Sequence, residues 1–342
     1  MPYYYPIKSI RDKEVRSRII GRLLLLRNQL DRQIPQKREA TTMLIATWNI
    51  REFGTNRMTE SSYYIAEILS RFDIIAIQEV SSDLKGLQKV LSIMGPQWDY
   101  IATDSTDGNA GGGERMAFVF DKSKIAFKNI AGELVLPKEK LINAELQFAR
   151  TPFCVAFQAK WFKFKLNTVH IYYGSSSGID KRRLAEIDTV ASYLAKRAKK
   201  EDESYILLGD FNIVKTSDET MKALEKNSFF VPESIKNHPT DLGQTKHYDQ
   251  IAFNFKLSSN MTVFSEGEQK SGAFNFTESV YTENDMEIYK QYFPEKNVKD
   301  KTEKDIQKYY LTSWRTYQMS DHLPLWAELK IDFSNEYLNS LK

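Results

Sequence analysis

Acidic and amide side chains stand at the ends of short apolar runs in this chain: Asp210 and Asn212 in LLGDFN, Glu79 in DIIAIQEV, and Asn49 in TWNIREFG. Asp249 in HYDQIAF and the Asp321–His322 pair in MSDHLPLW repeat the pattern. One strand ending in a carboxylate is unremarkable. Several that converge need a positive partner, because an unpaired buried carboxylate is costly. A divalent cation supplies it. The donors are almost all oxygen, from Glu79, Asp210, Asp321 and the amides of Asn49 and Asn212, which favours Mg²⁺ or Mn²⁺ over zinc.

The elements that would position these groups are short. Apolar runs over 43–47, 74–78, 116–120, 153–159, 164–171, 205–208, 250–255 and 325–331 read as strands, several of them central. Helical spacing falls at 60–71, 83–94, 181–199 and 219–226. The closeness of 153–159 to 164–171 signals a hairpin, so a mixed sheet is expected. Two such sheets, packed face to face with helices outside, would gather the strand ends on one rim.

Composition sets the limits. At 342 residues, with 42% hydrophobic and 13% aromatic content, the chain can bury a large α/β core and is not a disordered one. A net charge of +3 gives no global positive field, so any nucleic-acid surface is a local patch. Cys154 is the only cysteine, which excludes an intrachain disulfide, and its strand-like setting reads as inert core. His238 and His247 read as structural. The five tryptophans read as core and rim packing.

The N-terminal residues carry charges where a signal peptide needs an apolar core, and IIGRLLLL is far shorter than the ~18 residues of a membrane span. A cytoplasmic protein without a transmembrane segment is expected. Over 8–38, Ile10, Val15, Ile19, Ile20, Leu23, Leu24 and Leu26 recur at helical spacing among Arg and Lys. This extension, 1–40, reads as an amphipathic helix docked on the main domain or on a partner or second copy, ahead of a membrane or nucleic-acid arm. A polar insertion at 256–315, with helical patterns at 285–292 and 302–311, is expected beside the site as a lid, a substrate clamp or an inert decoration.

In this order, WNIREFG, IQEV, GERMAFVFD, VHIYYG, GDFN, YDQIAF and SDHLPLW resemble the blocks of the endonuclease/exonuclease/phosphatase superfamily, the deoxyribonuclease I-like hydrolases. The resemblance implies a four-layered α/β sandwich over 41–333, two packed mixed β-sheets flanked by helices, before a tail at 334–342. It implies Asn49, Glu79 and Asp321 as metal ligands, Glu114 paired with His170, and Asp249 paired with His322. Asp210 and Asn212 would hold the attacking water and the scissile phosphate, and Arg150 would touch a phosphate oxygen. A carboxylate behind His322 would fix its tautomer and raise its pKa, making it a phosphate stabiliser or a general acid.

The activity implied is metal-dependent hydrolysis of phosphodiesters, foremost as an endonuclease on DNA that leaves a 3′ hydroxyl and a 5′ phosphate. Two departures bear on substrate. Ser81 follows IQEV where deoxyribonuclease I-type enzymes carry a minor-groove arginine, and Gly112 stands where they carry a stacking tyrosine. The second reading is a phosphoesterase for a small molecule or lipid headgroup, of phosphoinositide or sphingomyelin type, with the insertion shaping a pocket. A third, an interaction module on a dead scaffold, is opposed by the intact set of site residues.

Overall fold

A computed structural model describes residues 2–105, 112–138, 141–142, 146–175, 180–255 and 271–342. Its strands are β1 (Thr42–Phe53), β2 (Ile74–Val80), β3 (Trp98–Ala102), β4 (Arg115–Asp121), β5 (Ile125–Glu133), β6 (Phe153–Ala159), β7 (Phe162–His170), β8 (Ser204–Asp210), β9 (Asp249–Asn254), β10 (Ser271–Ala273) and β11 (Leu325–Lys330). They form one sheet in the order β10-β11-β1-β2-β4-β3 and another in the order β5-β6-β7-β8-β9. Only β1/β2 and β7/β8 pair in parallel, so both sheets are mixed.

Alternation along β1 shows how the layers form. Met43 and Ile45 enter the core between the sheets, whereas Leu44, Ala46 and Trp48 face outward into a second core. That outer core is covered by α1 (Lys13–Gln33), α2 (Thr59–Leu69) and α3 (Lys85–Met94), while α4 (Lys181–Glu201) and α5 (Glu219–Glu225) cover the other sheet. The four-layered sandwich is therefore present. Sequence periodicity missed β5 because, as an edge strand, it buries only Ile125 and has no alternation to detect. It also missed β3, β10 and a last helix at Ser334–Ser340. Trp161 departs from the expected packing role: it is exposed in the β6–β7 turn and meets only the ring of Tyr337 among the described aromatic contacts.

Helix α1 is capped by Asp12, whose carboxylate accepts from the amides of Glu14 and Val15. It buries Ile19, Leu23, Leu26 and Leu30 on the domain but leaves Ile20, Leu24 and Leu25 exposed. No helix among the described residues is long and apolar enough to cross a membrane. Arg18 Nε and Nη2 donate to the buried Glu60 carboxylate at 3.2 and 3.0 Å, Tyr289 Oη donates to it at 2.7 Å, and Arg22 pairs with Asp285. These contacts bind α1, α2 and the insertion together.

The described part of the insertion packs mainly into the outer core. Residues 256–270 lie outside the described set. Beyond them, Tyr281, Tyr289, Phe293, Tyr310 and Trp314 pack into the outer core, with Tyr289 and Trp314 centroids 5.0 Å apart and Tyr281 5.8 Å from Tyr64. Aromatic area of this kind is more stable buried against α1 and α2 than held over a polar site. The turn that follows Trp314, Arg315–Gln318, reaches the rim, where Thr316 Oγ1 accepts from Arg51 at 2.7 Å and Gln318 Oε1 accepts from the Met58 amide at 2.7 Å.

Two outcomes follow from this packing. Arg18→Ala leaves the Glu60 charge buried without its cation and lowers unfolding free energy by about 3 kcal/mol, read by urea denaturation. Gly209 has φ +135 and a Cβ there would stand 2.1 Å from Val169 O, so Gly209→Ala costs about 3 kcal/mol or more in the same measurement.

Candidate active site

The register of the second sheet builds the site. On adjacent strands β7, β8 and β9, His170 lies directly opposite Asp210, and Asp210 directly opposite Asp249. Directly opposed residues share a face, so three ionisable groups stand in a row at one end of the sheet. The first sheet faces them. Asn49 has the same parity along β1 as Met43 and Ile45, which points it into the space between the sheets. Its Nδ2 donates to Asp210 Oδ2 and to Glu79 Oε1, each at 3.0 Å.

Glu79 reaches this place through a break in its strand. Ile75 and Ile77 face the outer core, and a regular β2 would send Glu79 the same way. The β2–β4 ladder slips between Ile77 and Val80, and Glu79 takes φ +59, which turns its carboxylate to the rim. The Glu52 amide then donates to Glu79 Oε2 at 2.9 Å. Burial alone would raise the Glu79 pKa, but His170, the Glu52 amide, the Asn49 amide and His322 outweigh it and hold the carboxyl below its ordinary value.

Asp210 is the centre. Its Oδ1 accepts from the Asn212 amide at 2.9 Å, and its Oδ2 lies 3.5 Å from His170 Nε2 and 3.8 Å from His322 Nε2. The far nitrogen of each ring meets a carboxylate. His322 Nδ1 and Asp249 Oδ2 share a hydrogen bond of 2.7 Å, and His170 Nδ1 is 2.6 Å from Glu114 Oε1. Burial disfavours imidazolium at both rings. It is outweighed at His322 by Asp249 and Asp210, which raise that pKa well above its usual value, and at His170 chiefly by Glu114.

Of the remaining expected residues, Arg150 pairs with Glu114 behind His170, one contact further from the centre. Asn212 takes φ +54 and donates from Nδ2 to Ile171 O at 2.9 Å. Asp321 is not brought into either carboxylate group: its side chain is half exposed and lies 3.9 Å from Arg51 Nη1. Three supporting residues went unnoticed in the sequence. Ser320 Oγ donates to Asn49 O at 2.5 Å and accepts from the His322 amide at 3.0 Å. Tyr248 stacks on His322, and Gln78 Nε2 ties the sheets by donating to Thr168 Oγ1 at 2.9 Å. All three lie within or beside the motif blocks, which was the available signal. Cys154 is buried on β6, and burial pushes its thiol up to about 11.

The donor set fits a hard cation. Glu79, Glu114 and His170 offer ligand atoms within 4.8 Å of one another, as do Asp210, Asp249 and His322. Asn49 Oδ1 is buried with no hydrogen-bond partner among the described residues, on the side chain that bridges Glu79 and Asp210. An orphaned amide oxygen beside carboxylates is what a Mg²⁺-type ion satisfies.

The sequence profile of the Endonuclease/Exonuclease/phosphatase family matches residues 46–253. Deoxyribonuclease-1 of Equus caballus is 30% identical over 203 residues, covering 57% of this chain and 67% of its own. That of Bos taurus is 27% identical over 262 residues, 72% of this chain and 87% of its own. Among solved structures, an endonuclease/exonuclease/phosphatase family protein from Bacteroides thetaiotaomicron superposes with a TM-score of 0.55 at 17% identity, over 85% of this chain and 96% of its own. D. rerio TDP2 complexed with single strand DNA product gives 0.54 at 14% identity, over 84% and 98%. The Bacteroides thetaiotaomicron mannosyl-6-phosphatase gives 0.54 at 16% identity, over 84% and 99%. The structural likenesses establish the fold, and the profile match across most of both sheets establishes more: this chain belongs to the Endonuclease/Exonuclease/phosphatase family of phosphoester hydrolases.

Proposed function

We propose that this protein is a divalent-metal-dependent phosphodiesterase that cleaves DNA as an endonuclease in the cytoplasm. The observation that carries the hydrolytic reading is the Asp210 carboxylate set between two imidazoles, each backed by its own carboxylate. The choice of DNA rests on the deoxyribonuclease-1 relatives.

A phosphodiester resists attack because its anionic oxygens repel the nucleophile, so charge neutralisation comes first. Glu79 and Asn49 Oδ1 would hold the Mg²⁺ or Mn²⁺, with Asp321 as a more distant candidate. When bound, the ion neutralises charge on the phosphate and lowers the pKa of a bound water. The chain's own residues do the rest. Asp210 Oδ2 orients the attacking water and accepts its proton as the new P–O bond forms. His322, kept protonated by Asp249, donates from Nε2 to the leaving oxygen as the old P–O bond breaks. His170 and Arg150, held by Glu114, balance charge on the non-bridging oxygens, and Asn212 positions the phosphate.

The test is nicking of supercoiled plasmid and cleavage of a labelled single strand with Mg²⁺, with Mn²⁺ and with chelator. Cleavage is expected with either metal and abolished by chelator. Asp210→Ala and His322→Ala each lower the rate about 100-fold or more while folding is unchanged. Absence of cleavage by folded wild-type protein under every condition overturns the nuclease reading in favour of a small phosphoester substrate.

A further inference from the structure

The two sides of the Asp210 row differ in lining and in shape. On the Glu79 side lies a groove of about 500 Å³ whose walls include the carboxyl-bearing Glu52, Glu79, Asp83 and Glu114. A polyanion is repelled there wherever no cation intervenes. On the His322 side an aromatic ladder leads outward. His322 stacks on Tyr248 with centroids 5.4 Å apart, and Tyr248 meets Tyr173 edge-on at 6.4 Å. Tyr173 is 42% exposed. Lys246 runs beside the ladder, its Nζ donating to Tyr248 Oη at 2.7 Å and lying 5.1 Å from that ring's centroid.

Exposed tyrosines are common, but the backbone of this one is held. The buried Arg183 donates from Nη2 to Tyr173 O and from Nη1 to Asn212 O at 2.8 Å, and its guanidinium sits 5.6 Å from the Tyr173 ring centroid. One buried cation thus fixes both the outer aromatic and Asn212. A ring presented on a preorganised backbone loses little entropy when a flat ligand stacks on it.

We propose that Tyr173, Tyr248 and Lys246 form a binding platform for an unpaired nucleotide next to the scissile phosphate. The base stacks on Tyr173, and the neighbouring phosphate is met by Lys246. The platform therefore selects single-stranded or locally unpaired nucleic acid, because a base inside a duplex has no free face to offer. This deepens the phosphodiesterase reading and rests on it for the place of the scissile phosphate.

Binding measured in chelator separates the platform from catalysis. Fluorescence anisotropy at low salt would compare a labelled octathymidylate, an abasic octamer with the same phosphates, and a closed hairpin duplex. Wild-type protein is expected to bind octathymidylate more tightly than either control. Tyr173→Ala weakens octathymidylate binding roughly 10-fold and the abasic octamer hardly at all, while Tyr173→Phe keeps wild-type affinity. Lys246→Gln weakens both single strands alike and reduces the slope of log K against log salt by about 0.7. Equal wild-type affinity for octathymidylate and abasic octamer, tighter binding of the hairpin, no binding at all, or an equal loss on both single strands in Tyr173→Ala overturns the platform. If the base preference is present and neither plasmid nor the labelled single strand is cut, the platform stands and the hydrolytic reading falls. If plasmid is cut without base preference, the reverse holds.

Discussion

The arrangement depends on one buried carboxylate. Asp210 is almost wholly removed from solvent, and such a group persists only where its oxygens are satisfied. One partner is local, the Asn212 amide two residues on, and the others come from distant parts of the chain: the Asn49 amide from the opposite sheet, and imidazoles from β7 and from the segment before β11. Each partner has its own constraint. Asn49 needs the parity of β1, His170 the register of β7 on β8, and His322 the hold of Asp249 and Ser320. Shifting any one of these strands by a residue would turn its contribution to the other face.

Rigidity behind the site comes from elsewhere in the fold. Beneath the row, the Gln78–Thr47–Thr168 hydrogen bonds join the sheets where apolar packing gives way to the rim. On the outer side, α1 and the aromatic part of the insertion clamp α2 through Glu60 and the Tyr289–Trp314 cluster. Loop conformations then have a fixed base. Glu79 and Asn212 adopt positive φ within the rim, a strain tolerated because the surrounding sheets determine it, and Gly209 takes positive φ without that strain.

Much of this was visible beforehand, for a physical reason. Buried central strands are short apolar runs, and their polar ends stand out, which is why Glu79, Asp210 and Asp249 could be picked out and why eight strands were found. Edge strands do not obey that rule, so β3, β5 and β10 were missed. The polarity of the insertion leaves a lid, a clamp and an inert decoration open, and the burial of Tyr281, Tyr289, Tyr310 and Trp314 in the outer core is an outcome that spacing along the chain does not reveal.

By itself the sequence determined which groups are available: oxygen donors, histidines, one inert thiol, and apolar runs long enough for two sheets. The tertiary structure alone decided their neighbours. That His170, Asp210 and Asp249 form one row, that a ladder slip turns Glu79 toward Asn49 while Asp321 turns toward Arg51, and that Tyr173 stands at the end of a ladder from His322 are facts of register and packing. These distances of a few ångströms join residues up to hundreds of positions apart, and only the pairing of strands specifies them.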